Sequence, residues 1–121
     1  MSSTLGIDHS VSSLKESCQQ DISKVQAEVY DYERKLEEVN KIAGVSKLIH
    51  ISQIRKRREY LESEIAKLKK KIAELRQEME MYNRYGKDIP KDAPNYEQMA
   101  KMLDNRIYKL EIVLMIDLGM M

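Results

Sequence analysis

The stretch "ISQIRKRREYLESEIAKLKKKIAELRQEMEMY", Ile51 to Tyr82, decides the fold. Its apolar residues fall at Ile51, Ile54, Leu61, Ile65, Leu68, Ile72, Leu75, Met79 and Tyr82, a repeat of 3.5 residues in which Arg58 fills the place between Ile54 and Leu61. That repeat is the pattern of a helix with a narrow apolar seam, and no segment of the chain alternates with the period of two that a strand requires. A second seam precedes it at Cys18, Ile22, Val25, Val29, Tyr32, Leu36 and Val39. The two repeats differ in phase by one residue across Gly44, so one continuous coiled coil would have to absorb a slip.

A chain that folds back near Gly44 and Val45 needs no such repair. Facing residues then carry numbers that sum to about 90, as an antiparallel pair of these heptads requires. Leu36 is set against Ile54, Val29 against Leu61, Val25 against Ile65, Ile22 against Leu68 and Cys18 against Ile72. Tyr32 is set against Arg58, where a cation over an aromatic face is tolerable. In a parallel homodimer, the competing arrangement, Arg58 would meet its own copy at the seam. The expected core is Ile22, Val25, Val29, Leu36, Ile54, Leu61, Ile65, Leu68, Ile72 and Leu75.

The fold class expected is therefore all-α: an antiparallel coiled-coil hairpin with a third C-terminal helix, assembling into an oligomeric bundle. Residues 1–8 read as a flexible N-terminus, 9–84 as the hairpin with its tip at 44–45, 85–94 as a Pro/Gly linker and 95–121 as the third helix. Ser13 with Glu16 forms a capping-box pattern, and Asp8 or Ser10 offers a cap slightly earlier. Gly44 suits a left-handed helix stop with Val45 as a lid over Val39, and Ser46 suits the cap that follows. Gly86 with Pro90 and Pro94 marks the second break, and Asn95 with Gln98 the third start.

Composition agrees. Of 121 residues 34% are charged and 6% aromatic, with no Phe and no Trp, which suits long helices better than a bulky globular core. The net charge of +1 sets up no whole-molecule field for nucleic acid or membrane. A lone cysteine, Cys18, excludes an internal disulfide framework, and "MSSTLGIDHS" lacks the pattern of a secretion signal. Both point to an intracellular, cytoplasmic chain. The apolar run Ile112–Met121 contains Asp117 and is too short for a bilayer, which needs about 20 residues.

One register of the opening stretch, Arg58 followed by Leu68 and Leu75 a heptad apart, resembles a basic leucine zipper over about a quarter of the chain. That resemblance implies a DNA-gripping dimer. The sequence departs from it where bases would be read: His50 stands in place of the family's asparagine, and Gln53 and Ile54 replace its small residues. Ile51 and Ile54 also carry the apolar seam through the segment that should be polar.

Two surfaces stand out as candidate contacts. From Lys47 to Lys71 nine lysines and arginines face three glutamates. Arg55, Lys56 and Arg57, then Lys69, Lys70 and Lys71, form a stripe that is either a solvated face or a dock for an acidic partner: nucleic acid, a microtubule or an acidic helix. The third helix carries Tyr96, Met99, Leu103, Ile107, Leu110 and Leu114 on one side and is apolar nearly all round from Leu110 to Leu118. Such a helix must be covered, either within a three-helix bundle or by a partner. Leu103, Ile107, Leu110, Val113 and Leu114 are the expected partner interface. No phosphate loop, metal-spaced Cys/His cluster or nucleophile–base arrangement is present, so no cofactor is expected. The expectation is a non-enzymatic structural or assembly protein that binds copies of itself or other subunits, without a membrane. The alternative is a charge-directed module for an acidic polymer.

Overall fold

The computed structural model describes residues 9–45 and 51–119, and among these the chain is all-helical, with no strand. α1 spans Val11–Val45, α2 spans Ile51–Tyr85 and α3 spans Tyr96–Asp117. The helix–helix contacts fit a hairpin of α1 and α2 with α3 added. They divide into two compact units: one of residues 22–74, the other of residues up to 21 together with 75 onward.

The first of these pairs the later part of α1 with the earlier part of α2. The chain direction is antiparallel, since Glu33 meets Lys69 (3.6 Å) while Asn40, further along α1, meets Arg58, earlier on α2 (3.0 Å). Ile22, Val25, Val29, Leu61, Ile65 and Ile72 are buried along the seam. Leu36, Ile54 and Leu68 are half-buried, and Ile42 and Ile51 are about half exposed (53% and 49%), so apolar cover thins toward residues 45 and 51.

One expected facing pair is not made. Arg58 does not lie over Tyr32. Its Nε donates to Asn40 Oδ1, while Lys35 sits over the Tyr32 ring (5.2 Å) and Tyr32 meets Tyr60. Helical side chains lean toward the N-terminus of their own helix. In an antiparallel pair the side chains of Tyr32 and Arg58, set opposite each other by backbone register, therefore lean apart, and each finds a partner further along.

The other unit holds Val11–Asp21 of α1, Leu75–Tyr85 of α2, the connection and α3. Ser10 caps α1: the Ser13 N–H donates to its Oγ (3.2 Å), and the Leu14 N–H to its carbonyl (3.0 Å). Ser13 thus lies inside the helix rather than capping it. α1 continues through Gly44 to Val45, so Gly44 is helical and the stop expected there falls later. Asp8, Ser46 and the connection 46–50 lie outside the described residues, as does the side chain of Val45. At the start of α3, Asn95 occupies the cap position, but its side chain makes no cap hydrogen bond; its carbonyl accepts from Met99 N–H (3.0 Å).

Gly86 ends α2 as expected. Its φ of 62° is the left-handed region, and its N–H donates to the Tyr82 carbonyl at 2.9 Å. A Cβ there would also stand 3.3 Å from Val11 Cγ2. Gly86→Ala should therefore lower stability by about 1–2 kcal/mol, from the left-handed backbone and the tight contact together. Urea unfolding followed by circular dichroism checks it; an unchanged midpoint contradicts it.

Candidate interaction surfaces

The three helix segments of the second unit meet around one buried cation. Arg106 on α3 is only 5% exposed. Its Nε donates to Glu78 Oε2 (2.8 Å) and its Nη2 to Glu78 Oε1 (2.9 Å), the two-pronged fork that guanidinium and carboxylate geometry favours. Its Nη1 donates to Asp21 Oδ2 (2.6 Å) and Ser17 Oγ (3.2 Å) on α1. Tyr82 donates its hydroxyl to Glu78 Oε2, and Lys109 donates to Asp21 Oδ2. Two cations and two carboxylates thus balance, and Glu78, itself 7% exposed, has both oxygens occupied.

The titration behaviour follows. Hydrogen bonds donated to Glu78 hold the Arg106 guanidinium in its charged form against the burial that opposes it, with Asp21 adding to the effect. Asp21 is pulled upward by burial, but hydrogen bonds from Lys109 and Arg106 outweigh this and hold it below the usual carboxylate range. Burial, then the Glu78 hydrogen bond and charge, push the Tyr82 phenol well up. Cys18, fully buried with Sγ 3.3 Å from the Leu75 carbonyl, is pushed up to about 11 by burial first and by the Glu78 charge second. It is a core residue that donates inward.

α3 buries Met99 and Arg106 most deeply. Of the five residues expected at a partner interface, Leu103, Ile107, Leu110 and Leu114 are half-buried, and Val113 is 49% exposed. The face α3 turns inward is rotated toward Arg106 relative to the apolar stripe of the sequence. A signal of this was present: Arg106 lies seven residues after Met99, on the same helical face. A consequence of the rotation is that Tyr108, Ile116 and Leu118 remain more than half exposed.

A groove of about 470 Å³ runs beside this junction, lined by Met81, Met99 and Met102 with Arg84, Glu80 and Gln98 among its polar residues. In the other unit, Arg55, Lys56, Arg57, Lys69, Lys70 and Lys71 are all exposed. Lys69 pairs with Glu33, and Arg57 stacks on Tyr60 at 5.5 Å. Among the described residues no group of three His, Cys, Asp or Glu side chains is placed to hold a metal ion, and no helix is long and apolar enough to cross a membrane. No known protein family, curated protein or solved structure matches the chain.

The junction sets a pH window. Cys18, raised in the fold, favours the folded chain while protonated. That contribution is complete below its ordinary value of 9.0 and is lost as pH climbs through about 11, and Tyr82 acts in the same sense at still higher pH. Asp21, lowered in the fold, contributes above its ordinary value of 3.8 and loses its contribution as pH falls through the lowered one. Stability measured by urea unfolding should be flat between about pH 5 and 9 and fall on both sides. A Cys18→Ala chain should lose part of the alkaline fall; an identical alkaline limb would contradict this assignment.

Proposed function

We propose that the chain is a non-enzymatic structural or assembly protein, a coiled-coil hairpin whose C-terminal helix joins it to copies of itself or to other subunits of a complex. The observation that carries this reading is the exposed apolar C-terminal end of α3. Among the described residues, Tyr108 (64%), Val113 (49%) and Ile116 (58%) of α3 and Leu118 (58%) at its C-cap are four of the eight large apolar residues left exposed. Clustered exposed apolar residues are commonly covered by another protein. The coiled-coil reading of the hairpin is supported by the seven-residue spacing of its buried positions: Ile22 to Val29 on α1, Ile65 to Ile72 on α2.

A second reading is favoured by a different observation. Arg55, Lys56, Lys70 and Lys71 are exposed and make no ion pair among the described residues, as a docking face for an acidic polymer would. Its mark is binding to duplex nucleic acid or microtubules that collapses with added salt.

Sedimentation velocity across a hundredfold range of concentration tests the first reading. The expected result is a mass rising above the 14.2 kDa of one chain. Val113→Asp with Ile116→Asp should return it to a monomer of unchanged helicity. A wild-type chain that stays monomeric throughout contradicts self-assembly.

A further inference from the structure

Charge is sorted between the two units. Residues 22–74 hold thirteen lysines and arginines against nine carboxylates, a net +4; the remainder holds eight against eleven, a net −3. On α2 the exposed lysines Lys56, Lys67 and Lys70 share an outward line with Ser63, while Tyr60 between them turns toward Tyr32 and carries Arg57 over its ring at 5.5 Å. None of these lysines makes an ion pair among the described residues. On α3 the face turned away from Met99 and Arg106 carries Glu97, Lys101, Asp104, Tyr108 and Glu111. Glu97, Lys101 and Asp104 are exposed and likewise unpaired among the described residues. Glu111 is half-buried, with its Oε1 3.6 Å from His9 Nε2.

The two lines match in spacing and in sign. Lys56 and Lys70 are fourteen residues apart, and so are Glu97 and Glu111, about 21 Å along either helix. Laid parallel at one offset of 41 residues, Lys56 meets Glu97 and Lys70 meets Glu111. At the same offset Ser63 meets Asp104 and Lys67 meets Tyr108, giving a hydroxyl–carboxylate hydrogen bond and a cation–aromatic contact. The opposite direction also pairs the ends, but it sets Lys67 against Lys101. A continuous polyanion suits the α2 line less well, because Glu59, Glu62 and Glu64 stand between its two basic clusters. A partner with discrete charges, positive in its middle, suits it better.

We propose that the outward basic line of α2, Lys56 to Lys70, docks on the outward line of α3, Glu97 to Glu111, of a second copy of this chain, with the two helices parallel. The contact is heterologous: each copy offers one surface and receives on the other, so growth is head-to-tail. Exposed ion pairs each contribute little, so their role is to set register and direction while apolar contacts add affinity. The inference rests on the assembly reading above and supplies its geometry.

The test is a charge swap on the full chain, read by sedimentation velocity at low salt with helicity checked in parallel. Lys56→Glu with Lys70→Glu should weaken self-association about tenfold or more, and so should Glu97→Lys with Glu111→Lys. The chain carrying all four changes should recover it. Four changes that fail to recover association overturn the proposal. Association indifferent to either reversal but lost in the Val113→Asp, Ile116→Asp chain overturns it while leaving the assembly reading standing. A wild-type chain that never self-associates overturns both. Retarded migration of a mixed-sequence DNA or RNA duplex at low salt, lost on Lys56→Glu with Lys70→Glu while self-association is unaffected, assigns the lysines to nucleic acid instead.

Discussion

A guanidinium fork holds α3 to the rest of its unit. Arg106 is placed where a helix interior would ordinarily take leucine, and burying it unpaired would cost several kcal/mol. Glu78 and Asp21 remove that cost by surrounding it with charge and acceptors, and Ser17, Tyr82 and Lys109 fill the remaining positions. Isolated apolar contacts tolerate sliding, because one methylene substitutes for another. A planar fork does not, so the junction selects one rotation of α3. The inward face is therefore that of Met99 and Arg106, and a different part of an apolar helix is left outside.

Much of this was legible in the residues. The 3.5-residue spacing from Ile51 to Tyr82 and from Cys18 to Val39 located both long helices. Gly86 and the two prolines located the break before α3. Helix starts were read less well, because Ser10, Ser13 and Asn95 are all competent caps and only the local backbone decides which one closes a hydrogen bond. The Tyr32–Arg58 facing pair was missed because heptad arithmetic counts Cα positions, whereas contact is made by side chains that lean along the helix.

The polar junction was the largest feature out of reach. Glu78 and Arg106 look like ordinary surface charges, since a seam inferred from apolar residues alone assigns every charged residue to solvent. Three helices had to be placed together before two such groups could be seen to neutralise each other out of water. The surface was half legible for the related reason: the basic cluster of α2 is obvious in sequence, but the acidic line of α3 becomes a line only once the helix has a known inward side. The assembly proposed for α3 would draw on the apolar residues the Arg106 fork leaves exposed.

The most direct measurement is a double-mutant cycle on that fork. Unfolding free energies of the wild-type chain, Arg106→Met, Glu78→Met and the double variant give the coupling between the two side chains. The account predicts a coupling above about 1.5 kcal/mol, with the double variant more stable than the single Arg106→Met chain that strands Glu78. A coupling near zero, with the two losses simply adding, would contradict it.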